Sequence, residues 1–194
     1  FPEEVGGQGG DYVALGLAIE ALGRVDQSVA ITLEAGVSLG AMPIFRFGTD
    51  AQRAQFLPNL LAGRALAGFG LTEPEAGSDA GSTRTTARLE GAEWVIDGAK
   101  QFITNSGTAI TQFVTVTAVT GHRGDRKEIS TIIVPNGTAG FEVGPAYDKV
   151  GWHASDTHPL IFTGARVPEA NLLGERGRRG RCGRRRSRAA LRGP

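Results

Sequence analysis

The chain has 194 residues, enough for one domain of ordinary size or two small ones with a real core. A single cysteine, Cys182, excludes an internal disulfide framework and a cysteine-rich metal site, and it suits a reducing compartment. The net charge of +1 hides an asymmetry: nine arginines and no acid follow from Arg176 onward, so residues 1–175 carry twelve Lys+Arg against twenty Asp+Glu, a net of −8.

The first ten residues, Phe1 to Gly10, read as a loop by composition, and their paired glycines are not a phosphate loop because no lysine follows and no strand precedes. Asp11 is placed to cap a helix whose Leu15, Ala18, Ile19 and Leu22 fall at i, i+3, i+4 and i+7, which predicts one buried face. Val29, Leu33 and Val37 predict a second helix, ending near Gly40 and Pro43. Thr49 with Gln52 forms a capping box for a third, carrying Phe56, Leu57, Leu60 and Leu61 and broken by Pro58. No apolar run is long enough to span a bilayer and no charged-then-apolar leader is visible, so neither a membrane segment nor a signal peptide is expected. The sequence opens at Phe1, so a targeting peptide would lie outside it.

After Gly63 the pattern changes from helical to alternating. Thr83–Leu89, Trp94–Asp97, Lys100–Thr104, Gln112–Val119, Ser130–Pro135 and Leu160–Val167 are short, rich in Thr, Val, Ile and aromatics, and bounded by turn residues. Glu90-Gly91 and Asp97-Gly98 are turn signals. The expectation is an α+β chain: helices over 1–66, an antiparallel β-barrel or sandwich over 67–175 and an arginine-rich tail over 176–194.

Two stretches in the β part carry candidate chemistry. Leu66, Phe69 and Leu71 form an apolar strand that stops at Glu73-Pro74, where proline cannot donate to a ladder. Gly77-Ser78-Asp79 then turns the chain, and outward N–H groups beside a hydroxyl suit an anionic oxygen. Lys100-Gln101-Phe102-Ile103-Thr104-Asn105 is a second strand ending in small hydrogen-bonding residues. On the residues alone, Thr72 and Thr104 could equally bond across a sheet, Phe69 and Phe102 sit in a core, and Ser78 cap a turn.

Taken together, Thr72-Glu73-Pro74-Glu75-Ala76-Gly77-Ser78-Asp79 and Gly98-Ala99-Lys100-Gln101-Phe102-Ile103-Thr104-Asn105 resemble the flavin-binding signature of the acyl-CoA dehydrogenases, in order and in spacing. The resemblance implies a helical N-terminal domain followed by a β middle domain, with a third, helical domain absent from this sequence. It implies FAD, held by Phe69, Leu71, Thr72, Gly77, Ser78, Phe102, Ile103 and Thr104. The Thr104 hydroxyl would lie near flavin N5, where a fixed donor stabilises developing charge, and Ser78 would also touch the acyl-CoA. Phe102 stands where many members have tryptophan, and it covers less of the ring.

The implied reaction is α,β-dehydrogenation of an acyl-CoA thioester to a 2,3-enoyl-CoA, with electrons passed to an electron-transferring flavoprotein. The family's catalytic base is a glutamate in the helical C-terminal domain, so no catalytic residue is assigned here: Glu73 and Glu75 belong to the flavin motif and Glu175 ends the middle domain. The chain is accordingly expected to be a truncated piece, inactive alone, of a homo-oligomeric enzyme, dimer or tetramer. Its expected place is the bacterial cytoplasm, or the mitochondrial matrix in a eukaryote. Rival readings are a non-catalytic remnant that binds flavin or a partner, and an acyl-CoA oxidase or nitroalkane oxidase on the same scaffold.

Further on, Lys149-Val150-Gly151-Trp152-His153-Ala154-Ser155-Asp156-Thr157, and Arg166-Val167-Pro168 with Asn171-Leu172-Leu173-Gly174, resemble the close of the family's middle domain. His153 and His158 are expected as surface or loop histidines with no metal role. His122 lies in a polar turn, so no Ser-His-Asp or Cys-His arrangement survives. The tail admits three accounts: a basic arm for nucleic acid or a membrane surface, a solvated tail without function, or foreign sequence from a reading-frame error. The resemblance favours the frame error and argues against nucleic-acid binding.

Overall fold

The computed structural model of the chain describes residues 1–177. The arginine-rich segment from Arg178 onward, with Cys182, lies outside the described residues. Helices come first: α1 (Tyr12–Gly23), α2 (Gln27–Ala35), a π-helical turn Gly36–Ala41, α3 (Met42–Phe47) and α4 (Asp50–Leu61). Eight strands follow: β1 (Leu66–Gly70), β2 (Thr86–Glu90), β3 (Glu93–Thr104), β4 (Thr111–Arg123), β5 (Arg126–Pro135), β6 (Phe141–Val143), β7 (Thr157–Pro168) and β8 (Leu172–Leu173).

The caps form as the side chains dictate. Asp11 accepts from the Ala14 N–H at 2.8 Å, and Asp26 from that of Ser28 at 2.7 Å. Thr49 and Gln52 complete the reciprocal box at the start of α4. Gln52 then does a second job, donating its amide to the carbonyls of Ala170 and Leu172 at 2.8 and 3.0 Å, which fastens α4 to the far end of the β part.

Four helical expectations need correction. No residue of α1 is buried: Leu15 and Ile19 are half-buried and Tyr12, Val13 and Leu17 are more than 60% exposed, because α1 packs mainly along α2, with Arg46 of α3 reaching the Tyr12 hydroxyl at 2.7 Å. The second helix does not stop at Gly40 and Pro43. The π turn changes the hydrogen-bond register there, so the N–H that proline lacks falls at the start of α3, where it costs little. Gly40 serves instead for close approach, since a Cβ on it would stand 3.0 Å from the Ala67 carbonyl. Pro58 does not break α4, which runs on to Leu61; Pro58 and Ala54 are exposed, so the carbonyl it leaves unpaired faces water. Finally, Gln27–Phe47 is one helical run of 21 residues, long and apolar enough to cross a membrane, contrary to the reading from the sequence. Its Ala41 and Ile44 are buried against Phe56, Leu57, Ala67 and Phe113, as in a core helix.

Among the described residues one sheet holds all the strands, in the order β6-β7-β3-β2-β4-β5-β8. Its long pairings are antiparallel, and β1 joins β4 in parallel. β4 is buried along most of its length because it is covered on both faces. Val114, Val116 and Ala118 face the inner core with Trp94, Ile96, Ile132, Val134, Leu160 and Phe162. Phe113 faces the helices, with Ile133 of β5 beside it in the second core. Glu90-Gly91 turns the β2–β3 hairpin as expected, with Gly91 at φ 65°. Asp97-Gly98 does not turn. It is a bulge inside the single strand β3, with Gly98 at φ 143° and a register shift against β7 between Ile96 and Gly98. The Asp97 carboxylate accepts from the Gly164 N–H across that pair at 2.8 Å.

Arg176 and Gly177, grouped with the tail by composition, pack onto the body. Arg176 donates to the Thr120 carbonyl and lies 5.5 Å from the Trp94 ring centroid, and the Gly177 N–H reaches Ser130 Oγ at 2.9 Å.

Candidate functional site

Past β1 the chain continues as Leu71-Thr72-Glu73 alongside β3. Close approach explains the glycines on this path: a Cβ on Gly68 would stand 3.1 Å from the Thr104 carbonyl, and one on Gly70 would stand 3.2 Å from Lys100 Cγ. Three consecutive carbonyls are then taken in turn by the neighbouring strands. Thr117 Oγ1 donates to Gly70 at 3.2 Å, Lys100 Nζ to Leu71 at 3.3 Å and the Gln101 backbone N–H to Thr72 at 2.9 Å. The two motifs therefore lie side by side in a fixed register.

An ion pair with no exposure to speak of joins them. Lys100, fully buried, donates to Glu73 Oε1 at 2.7 Å and to Thr117 Oγ1 at 3.1 Å. Glu73, 4% exposed, also accepts from the backbone N–H groups of Arg84 at 2.6 Å and Thr85 at 3.1 Å. Burial pushes its carboxyl upward, but the bonds from Lys100, Arg84 and Thr85 outweigh that and hold it below the usual carboxylate range. Neither residue stood out in the sequence as more than part of the flavin motif, because no local signal pairs positions 27 apart.

Around this anchor the expected residues fall as follows. Phe69, Leu71, Thr72 and Thr104 are half-buried on the adjacent segments, and Phe102 is 60% exposed. Among the described residues neither the Thr72 nor the Thr104 hydroxyl has a hydrogen-bond partner. Phe102 has φ 60° at a second register shift of β3, between Lys100 and Ile103, which tips its ring out of the sheet. That ring lies 4.9 Å from the ring of Tyr147. Tyr147 escaped sequence reasoning because it sits in a loop with no pattern of its own. Ile103 turns the other way, 3% exposed in the inner core, so only its backbone remains on the site side.

Gly77 and Ser78 lie in the exposed turn beyond, which a bridge between Glu73 and Ala76 closes at its base. Asp79 caps the short 3-10 helix Ala80–Ser82, and the Ser82 hydroxyl bond, followed by the Gly81 N–H, lowers its carboxyl below the ordinary value. Beside this turn is an open depression of about 690 Å³, lined by Asp79, Gly81, Ser82, Asp125, Arg126 and Lys127 among others.

His153 is exposed, as expected. His158 is not a surface or loop residue: it lies on β7, its side chain 12% exposed, with Nδ1 2.7 Å from the Gly144 carbonyl and Nε2 2.7 Å from Asp156 Oδ1. The reason is packing against Gly107, where a Cβ would stand 2.3 Å from the imidazole. No group of three His, Cys, Asp or Glu that could hold a metal ion occurs among the described residues.

This arrangement can be set beside known proteins. The family described as "Acyl-CoA dehydrogenase, N-terminal domain" matches residues 1–64, and "Acyl-CoA dehydrogenase, middle domain" matches residues 68–165. A Bacillus subtilis protein named "Probable acyl-CoA dehydrogenase YngJ" is 49% identical over 176 residues, which cover 90% of this chain and 46% of that protein. The structure of butyryl-CoA dehydrogenase from Megasphaera elsdenii superposes with a TM-score of 0.85 at 43% identity, over 91% of this chain and 47% of the other. That of an acyl-CoA dehydrogenase complexed with FAD, from Bacillus anthracis, gives 0.82 at 42% identity over 91% and 30%. The chain thus spans less than half the length of each of these relatives. With both domain families matched along consecutive segments, the chain belongs to the acyl-CoA dehydrogenase family.

Proposed function

We propose that this chain supplies the flavin- and thioester-facing walls of an FAD-dependent acyl-CoA dehydrogenase. One observation carries the reading: Leu71–Glu73 and Lys100–Thr104 are locked side by side, and these two segments carry two hydroxyls without a partner among the described residues and an outward-tipped aromatic ring.

These residues fit a flat, amphipathic ring system. Phe69, Leu71 and Phe102 offer apolar contact, while Thr72 and Thr104 offer hydrogen bonds to its polar edge. A bound flavin supplies hydride acceptance from the acyl β-carbon. Thr104 would hold a donor at the atom where charge develops, and losing such a donor costs roughly 2 to 4 kcal/mol of transition-state stabilisation. Ser78, at the exposed turn, would meet the acyl-CoA.

The α-proton needs a carboxylate that can take it up. Glu73 is buried and paired with Lys100, and Glu75 lies 3.1 Å from Arg84 on the surface, so neither is free for that work. From the family resemblance, the base is assigned to a glutamate of the family's helical C-terminal domain. Electron delivery to an electron-transferring flavoprotein, and self-association, belong to the same proposal.

Titrating the purified chain with FAD tests it. Quenching of flavin fluorescence with a perturbed absorption band, saturating at one FAD per chain, is the expected result. A flavin spectrum unchanged by excess protein would overturn the reading.

A further inference from the structure

Lys100 is a buried cation that the dehydrogenation chemistry does not use. A buried ion pair is weak evidence for stability, because desolvation cancels much of its attraction. Its geometry shows what it does instead. The ammonium has three N–H donors, and they face three acceptors: Glu73 Oε1, Thr117 Oγ1 and the Leu71 carbonyl. Two of these flank Thr72 in sequence, and the next residue after Lys100, Gln101, donates its N–H to Thr72 itself. Thr117 in turn donates to Gly70.

We propose that Lys100 is a positioning residue: with Glu73 it sets the alignment of Leu71–Glu73 against Gln101–Thr104, so that the Thr72 and Thr104 hydroxyls meet one ligand edge. The inference rests on the flavin reading of those hydroxyls, but the alignment itself is a property of the free chain. The bulge at Gln101–Phe102 makes the device necessary. There β3 leaves its ladder with β7 at Gln101 and Phe102 and rejoins it, in a shifted register, at Ile103 and Thr104, so pairing with β7 does not fix where Phe102 stands. A side chain reaching from Lys100 across to residues 71 and 73 replaces the missing ladder bonds. A neutral apolar residue would fill the space without specifying the register.

The test uses the full chain with Lys100→Met and with the charge-free pair Glu73→Gln/Lys100→Met, each shown to be folded by circular dichroism. Amide exchange at Gln101 is expected to quicken about tenfold or more while that of Ile132–Val134 is unchanged. The FAD dissociation constant should rise about tenfold or more, with a displaced flavin absorption band. Unaltered exchange at Gln101, or unaltered FAD affinity, in a folded variant overturns the proposal. Faster exchange in the variants, with no FAD binding by the parent chain, would sink the flavin reading and with it the ligand half of this one, leaving only the alignment. If Lys100 variants do not fold, Thr117→Val carries the test, since it removes one acceptor at nearly constant volume. It should quicken Gln101 exchange and weaken FAD binding, and a folded Thr117→Val that does neither refutes the idea.

Discussion

The side-chain amide of Asn105 donates to the carbonyl of Thr32 at 3.2 Å, so the last residue of the second motif is tied to helix α2. Its backbone N–H meets the Asp156 carbonyl at 3.2 Å, and its own carbonyl accepts from Thr111 Oγ1 at 3.0 Å. Asn105 is fully buried with φ 59°, a conformation that asparagine tolerates better than most residues. It is a clamp between the helical and β parts at the end of the strand that carries Thr104. Asn105→Ala should destabilise the chain by about 1 to 3 kcal/mol through the lost bond and the left-handed backbone. Asn105→Asp should do at least as much harm, because a carboxylate oxygen would face the Thr32 carbonyl. Urea unfolding measures both; losses near zero would show that the clamp is idle.

The Glu73 pair gives stability an acid limb. The folded carboxyl lies below its ordinary value of 4.5, so the unfolded chain binds the proton more tightly. The stabilisation is therefore fully present above that ordinary value and is lost as pH falls through the lower, folded one. Melting temperature should hold steady with respect to this group above about pH 5.5 and decline below about pH 4.5. Glu73→Gln strands the ammonium, so it should cost about 3 to 5 kcal/mol at neutral pH and show a shallower acid decline. Parallel acid limbs in variant and parent would remove Glu73 as their source.

The sequence showed the caps at Asp11 and Thr49, the change from helix to strand after Gly63, and the two motifs, because each is a short-range pattern. It could not show that Lys100 and Glu73 meet, since their contact depends on β1 running parallel to β4 and bringing residue 73 beside β3. The buried face expected of α1 failed for a complementary reason: periodicity says that a face is apolar, and only the neighbouring elements decide whether it is covered. Pro43 and Pro58 were overruled by a local π turn and by solvent at an exposed carbonyl. Ile103 shows the limit of carrying a motif over residue by residue. Strand alternation sends its side chain into the core, whatever its neighbours do.

Thr72→Val and Thr104→Val separate binding from folding. Each removes a hydroxyl without a partner among the described residues, so stability should stay within about 0.5 kcal/mol of the parent. FAD affinity should fall about fivefold for each, corresponding to roughly 1 kcal/mol for one hydrogen bond. Phe102→Ala should behave alike, because a ring that is 60% exposed contributes little to the core. Fluorescence titration beside thermal melts gives both quantities. Loss of stability without loss of affinity would return these residues to a structural role.

Gly98→Ala tests the bulge on which β3 depends. At φ 143° a side chain is strained in any case, and the added Cβ would stand 2.7 Å from Thr85 Cα, a backbone atom that cannot swing aside. Thr85 also donates its backbone N–H to Glu73, so the clash pushes directly on the buried pair. The cost should reach about 2 kcal/mol or more, and exchange at the Arg84 and Thr85 amides should quicken before that of β5. An ordinary turn at Asp97-Gly98 would accept alanine with a smaller, purely local penalty. A folded Gly98→Ala chain with protected Arg84 and Thr85 amides would therefore argue that the strand bends there without leaning on Thr85.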